Sequence, residues 1–173
     1  NEVGNLVNEG ELFDQLYTYP ELLSGLTQIM GTDFKLSELT ARETLPVGGM
    51  ENPKRLSDNL GEVSMQALWL LDDFNEMNGG LAFFPGSQRS DDSGSTASDE
   101  TLAVPVYAPA GSLILANGRL RRIEPVNQSE LNKRVIYANF VSRNQAQGLL
   151  QKDFIRLSTF NRVSELAKFI LDV

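Results

Sequence analysis

Histidine and cysteine are both absent from this chain of 173 residues. Imidazole is the commonest protein ligand for redox iron and the usual general base near neutral pH. Its absence excludes a two-histidine, one-carboxylate iron site and a Ser-His-Asp triad. Without thiols there is no disulfide, no cysteine nucleophile and no zinc site of the usual kind. Oxygen-ligand metal chemistry, carboxylate or lysine acid–base work, or no chemistry remain open. Basic residues are also in deficit, and the net charge of -8 argues against a general affinity for nucleic acid or for anionic membranes, though not against a local basic patch. No apolar run reaches the length of a membrane span, so a soluble protein without membrane insertion is expected. The first residue is Asn1 rather than Met. The compartment is unspecified, and an organellar location after removal of a targeting segment stays open.

What is present is ordinary for a globular protein: 41% hydrophobic and 22% charged residues, enough apolar material for one well-buried domain over 1–173. A short helix is expected around Glu11–Tyr17. Pro20 then opens a second helix carrying Leu22, Leu23, Leu26, Ile29 and Met30 at helical spacing, with Gly31 as its cap, so the N-terminal segment is helical from about 10 to 31. Alternation over Asp33–Leu45 predicts a strand, and the Pro- and Gly-rich stretch 46–61 predicts an irregular connection. Val63–Phe74 is the strongest predicted strand, with Val63, Met65, Ala67, Trp69 and Leu71 on one face. A turn at Asn75–Gly80 leads to a strand at Leu81–Phe84. The acidic stretch 88–100 has no apolar residue larger than Ala97 and predicts a mobile surface loop. Strands are predicted at Leu102–Tyr107, Ser112–Ala116 and Arg134–Val141, and a closing amphipathic helix at about 162–173 with Val163, Leu166, Ala167, Ile170 and Leu171 on one face. Short strands between turn signals, flanked by helices, predict a mainly β fold with flanking α-helices, an antiparallel double-sheet jelly roll.

Three segments, taken in order, resemble one family. The first is Trp69-Leu-Leu-Asp-Asp-Phe-Asn-Glu-Met-Asn-Gly-Gly-Leu81, running on to Phe84-Pro-Gly-Ser87. The second is Ala110-Gly-Ser-Leu-Ile-Leu-Ala-Asn-Gly-Arg-Leu120. The third is Asn127-Gln-Ser129 followed by Lys133-Arg134-Val-Ile-Tyr137. Their order and spacing are similar to those of the phytanoyl-CoA dioxygenases, which are iron- and 2-oxoglutarate-dependent oxygenases. The resemblance implies a double-stranded β-helix of cupin type, and iron and 2-oxoglutarate as cofactors.

The same resemblance places the family's site residues where this chain departs. The second iron-binding histidine is expected two residues after Gly118-Arg119-Leu120, and that residue is Arg122. The oxoglutarate-binding arginine is expected eleven residues further on, at Lys133, next to Arg134. The first His-x-Asp pair is expected before the strand leading to Trp69, where the chain offers Glu51-Asn-Pro53 or Arg55-Leu-Ser57-Asp58. The histidine of the family's Pro-Gly-Ser-His is Gln88. A guanidinium in place of an iron-bound imidazole puts a permanent positive charge where a divalent cation would sit. A lysine in place of the oxoglutarate arginine keeps the charge and loses the bidentate geometry. No catalytic residue, no metal ligand and no cofactor are therefore expected.

Several candidates remain, each with a bland alternative. Arg122 could pair inside the old pocket with Glu51 or with Glu124, two residues on, or be an exposed strand-end arginine. Arg119, Arg121, Arg122, Lys133 and Arg134 could receive an anion together, with Lys133, Arg134 and Arg119 as anchors. Adjacent strand residues point to opposite faces, which speaks against a single patch. Asp72, Asp73, Asn75, Glu76 and Asn78 could hold calcium, although acidic turns are common on surfaces. Asn127-Gln128-Ser129 fits a glycosylation sequon by pattern alone. The leading expectation is an inactive relative of the family acting as a binding or structural protein, with other protein subunits as partners. The enzyme-class alternative is an oxygenase using an oxygen-only metal site built from Glu51, Asp58 and Glu124. The third is an anion or small-molecule binder anchored on Lys133 or Arg134.

Overall fold

The computed structural model describes residues 1–46, 64–89 and 103–173, and the backbone of Lys54–Leu56. Two helices, α1 (Glu11–Tyr17) and α2 (Pro20–Met30), precede the long strands at the positions the periodicity indicates. Strand β1 (Glu2–Val3) pairs with β2 (Phe34–Thr44), and β3 (Lys54–Leu56), β4 (Ser64–Leu70), β5 (Leu81–Phe83), β6 (Val104–Val106), β7 (Leu113–Asn117), β8 (Arg122–Glu124) and β9 (Lys133–Ser142) follow. The chain closes with α3 (Gln151–Phe154), α4 (Leu157–Arg162) and α5 (Glu165–Leu171).

Among the described residues, all strand pairs are antiparallel. They form a five-stranded sheet ordered β1-β2-β9-β4-β7 and a four-stranded sheet ordered β3-β8-β5-β6. Successive strands cross repeatedly from one sheet to the other, which makes the double-stranded β-helix expected from the sequence.

The alternation of side chains along the central strands sorts two cores. Met65 and Ala67 of β4 and Ile136, Ala138 and Phe140 of β9 face the helices, where Leu22, Leu26, Ala167, Ile170 and Leu171 cover them. The alternate residues, Leu68 and Leu70 of β4 with Val135 and Tyr137 of β9, face inward and meet Leu81 and Phe83 of the smaller sheet. Leu68 is completely buried, and its replacement by Ala would cost about 2–5 kcal/mol. Trp69 lies on the helix side, donating to the Leu16 carbonyl at 3.2 Å and meeting Tyr19 edge-on, so it packs rather than presenting a stacking surface.

The structure corrects several sequence expectations. The connection predicted over 46–61 contains β3, and the charged run Arg122–Glu124 is a strand although no alternation of ordinary type marks it. Each has three residues, too few to show a period of two. Strand β4 ends at Leu70, leaving Leu71 half-exposed. The closing helix expected over about 162–173 is shorter, α5 from Glu165 to Leu171, because Ser164 caps it, its Oγ accepting from the Ala167 amide at 3.1 Å, and α4 precedes it as a separate helix. Leu166 points outward and is half-exposed, not part of the buried face. Most of the acidic stretch expected as a loop, from 90 to 100, lies outside the described residues.

Candidate functional site

The site is the space between the two sheets, and β8 lines it with two alternate residues. Arg122 and Glu124 both point inward, as alternate residues of a strand must, and both are buried, at 5% and 6% exposure. The expectation that the two share a face is met, but they do not pair. Each ties β8 to the larger sheet at a different level.

Glu124 meets the end of β9. Lys133 is 1% exposed, and its ammonium lies 3.2 Å from Glu124 Oε1. The same ammonium donates to the Gly80 carbonyl at 2.7 Å and stands 5.1 Å from the centre of the Phe74 ring. Thr44, the residue opposite Lys133 in the β2–β9 register, donates its hydroxyl to Glu124 Oε1 at 2.5 Å. Burial pushes the Lys133 pKa down, and the neighbouring Glu124 carboxylate opposes that shift. Gly80 can approach because it carries no side chain: it has a φ of +49°, and a Cβ there would lie 2.8 Å from the Val106 carbonyl oxygen.

Arg122 meets the middle of the larger sheet. Its Nη1 donates to Gln66 Oε1 on β4, and its guanidinium stands 5.3 Å from the centre of the Tyr137 ring on β9. Gln66 then donates to Asn139 Oδ1 at 2.6 Å, and Asn139 to Glu38 Oε2 at 3.4 Å. The exposed strand-end arginine considered from the sequence is excluded.

The remaining expected residues are dispersed. Arg134, next to Lys133, points to the other face and grips Asp72 with Nε and Nη2 at 2.9 and 2.7 Å. That pairing holds the Asp72 carboxyl below its usual range. Arg121 stacks on Phe84, with 5.3 Å between guanidinium and ring centre. Arg119 is half-buried in the turn after β7, where its amide donates to Asn117 Oδ1. The basic residues thus do not form one patch. Arg55 lies on β3 opposite Ile123, with Leu56 opposite Arg122. Glu51, Ser57 and Asp58 lie outside the described residues.

The acidic turn is also accounted for. Asp72 serves Arg134, Asp73 accepts from the Ala110 amide, and Asn75 and Asn78 bond each other's amides. Among the described residues, no group of three Asp or Glu gathers as a metal site would require. Asn127 of the sequon is fully buried, its amide donating to the Leu131 and Thr44 carbonyls.

Sequence reasoning missed Thr44, Gln66 and Asn139. Their signal was there: each is a polar residue at an inward position of a strand whose neighbours are apolar or alternate regularly.

These donors do not fit an iron–oxoglutarate centre. The chain has no imidazole to offer, Arg122 brings a cation where the resemblance expects an iron ligand, and the Lys133 ammonium already has a carboxylate.

Known proteins resemble this chain in part of its sequence and in its fold. The family model described as Phytanoyl-CoA dioxygenase (PhyH) matches residues 54–121, ending one residue before Arg122. No curated protein matches the sequence. Among solved structures, EvdMO1 is similar with a TM-score of 0.69 and 21% identity, covering 82% of this chain and 35% of its own. SnoN, a non-heme alpha ketoglutarate dependent epimerase from nogalamycin biosynthesis, has a TM-score of 0.68 and 17% identity, covering 82% of this chain and 60% of its own. The non-heme monooxygenase ThoJ, solved as a nickel complex, has a TM-score of 0.63 and 16% identity, covering 79% and 56%. SnoN has also been solved with Fe3+ and alpha ketoglutarate. The chain therefore spans between about a third and three-fifths of the length of these structures. At these identities the likeness is one of fold.

Proposed function

From the premise that this chain is phytanoyl-CoA dioxygenase-like and contains no histidine, we propose that it is a catalytically silent relative, acting as a binding or structural protein. One observation carries the reading. At the positions where the resemblance calls for an iron ligand and an oxoglutarate anchor, Arg122 and Lys133 are tied to Gln66 and Glu124 of the chain itself. On this reading the chain's own side chains take up the interactions that iron and 2-oxoglutarate would otherwise receive. Side chains that bridge the two sheets keep the framework rigid, and a rigid framework is what a structural subunit requires. On this reading 1–173 is one domain, it needs neither iron nor 2-oxoglutarate, and its partners are other protein subunits rather than nucleic acid. No described helix is long and apolar enough to cross a membrane.

The test is anaerobic loading of the purified protein with ferrous iron and 2-oxoglutarate, followed by exposure to oxygen. The expected result is no stoichiometric iron binding and no succinate above a protein-free blank. Either signal would overturn the proposal and favour the oxygen-ligand alternative, in which Glu51 and Asp58 join the site.

A further inference from the structure

The carboxylate beside Lys133 has the contacts a bound ligand would have. It comes from the facing sheet, and its Oε1 receives both the Lys133 ammonium at 3.2 Å and the Thr44 hydroxyl at 2.5 Å. Those two donors are cross-strand neighbours on β2 and β9. The ammonium is held from a third side by the Gly80 carbonyl and lies against Phe74. A fixed ammonium and a fixed hydroxyl converging on one oxygen, with an aromatic wall beside them, form a seat for a carboxylate group.

We infer that Glu124 is a tethered ligand: its side chain occupies a carboxylate seat built by Lys133 and Thr44, and a short free monocarboxylate enters that seat once Glu124 is shortened. A carboxylate carried on β8 loses almost no translational freedom when it binds there, whereas a free one loses all of it. The tethered group therefore outcompetes carboxylates in solution and closes the seat to a dicarboxylate. The inference rests on reading Lys133 as the position of a former cosubstrate anchor. Its test uses neither iron nor turnover, so it and the proposed function can fail separately.

Glu124→Ala removes one methylene and the carboxylate, a fragment with the size and charge of acetate. The variant should melt roughly 10 °C below the wild type, because a buried ammonium is left without its counter-ion. Acetate at about 100 mM should return about 4 °C of that loss and approach saturation, as a ligand selective for the folded state must. Wild-type protein should show no such rise with acetate or with 2-oxoglutarate, and neither acetamide nor equimolar chloride should rescue the variant. The double variant Glu124→Ala with Lys133→Met should ignore acetate. Should Glu124→Ala not fold in chloride, the same comparison is made by refolding, and folded protein should be recovered in acetate alone. Rescue that is equal in the double variant, no rescue by acetate, or a shift of the wild type with 2-oxoglutarate would overturn the inference.

Discussion

Lys133 on β9 and Glu124 on β8 form an ion pair of 3.2 Å between facing sheets, with both side chains almost wholly buried. Two charges removed from water are held only by each other and by their hydrogen bonds. Removing one partner then costs far more than removing both. Lys133→Met should lower the unfolding free energy by about 3–5 kcal/mol, and adding Glu124→Leu should recover most of it. Urea unfolding of the four proteins in the cycle measures this. Additive losses would show that the pair is not coupled in solution.

Arg122 differs in that its Nη1 donates to a neutral amide, that of Gln66. Arg122→Met leaves the buried Gln66 oxygen without that donor, at a cost of about 1–3 kcal/mol. Combining it with Gln66→Met should cost less than the sum of the two single changes, although Asn139 then loses its own donor. Arg122→His gives a sharper outcome. One imidazole cannot coordinate iron without companions, so calorimetric titration with ferrous iron should show no binding beyond the wild type. Tight binding by this variant would mean that 47–63 supplies ligands after all, and would weaken the proposed function.

The framework was legible because its signals are redundant. The period-two pattern of Met65, Ala67 and Trp69 and the helical spacing of Leu22 and Leu26 each identify a face that must be covered, and those faces are covered. Strand β8 was not legible. Three residues are too few to show alternation, and two of them are charged, so the run reads as a loop until its partners on β2, β4 and β9 are known. The site positions Arg122 and Lys133 came from the family resemblance. The contacts they make could not, because Gln66 lies 56 residues from Arg122, Gly80 lies 53 from Lys133, and Thr44 lies 80 from the Glu124 that Lys133 meets. Only the crossing of the chain between sheets brings them together.

The last turn of the chain should make stability sensitive to acid. Asp172 receives Lys35 at 3.0 Å and Arg143 at 2.7 Å, which anchors α5 to the edge of β2. The hydrogen bond from Lys35 leads the interactions that hold its carboxyl below the ordinary value of 3.8. A depressed folded-state pKa contributes stability that is fully present above the unfolded value and lost as pH falls through the folded one. Melting temperature should therefore drop below about pH 4, and more shallowly for Asp172→Asn. Asparagine is the fitting replacement because residue 172 has a φ of +63°, which asparagine tolerates. The partly exposed carboxylate limits the effect at neutral pH to about 1 kcal/mol. Identical acid limbs for the two proteins would mean that the clamp is not formed.

Asn127 should resist glycosylation despite its sequon. Its amide nitrogen, the atom a glycan would occupy, donates to the Leu131 carbonyl at 2.8 Å and the Thr44 carbonyl at 3.3 Å, and the residue has no exposed surface. A sugar attached there could not be buried, so the modified chain could not close this turn. Expressed in a glycosylating secretory host, the folded fraction should have the unmodified mass by mass spectrometry. Folded protein carrying a glycan on Asn127 would contradict the buried geometry. Asn127→Ala should cost about 1–3 kcal/mol, since two carbonyls lose their donor. Because one of them belongs to Thr44, the loss should reach the carboxylate seat. Combining Asn127→Ala with Thr44→Val should therefore cost less than the sum of the separate changes, and strict additivity would separate the turn from the seat.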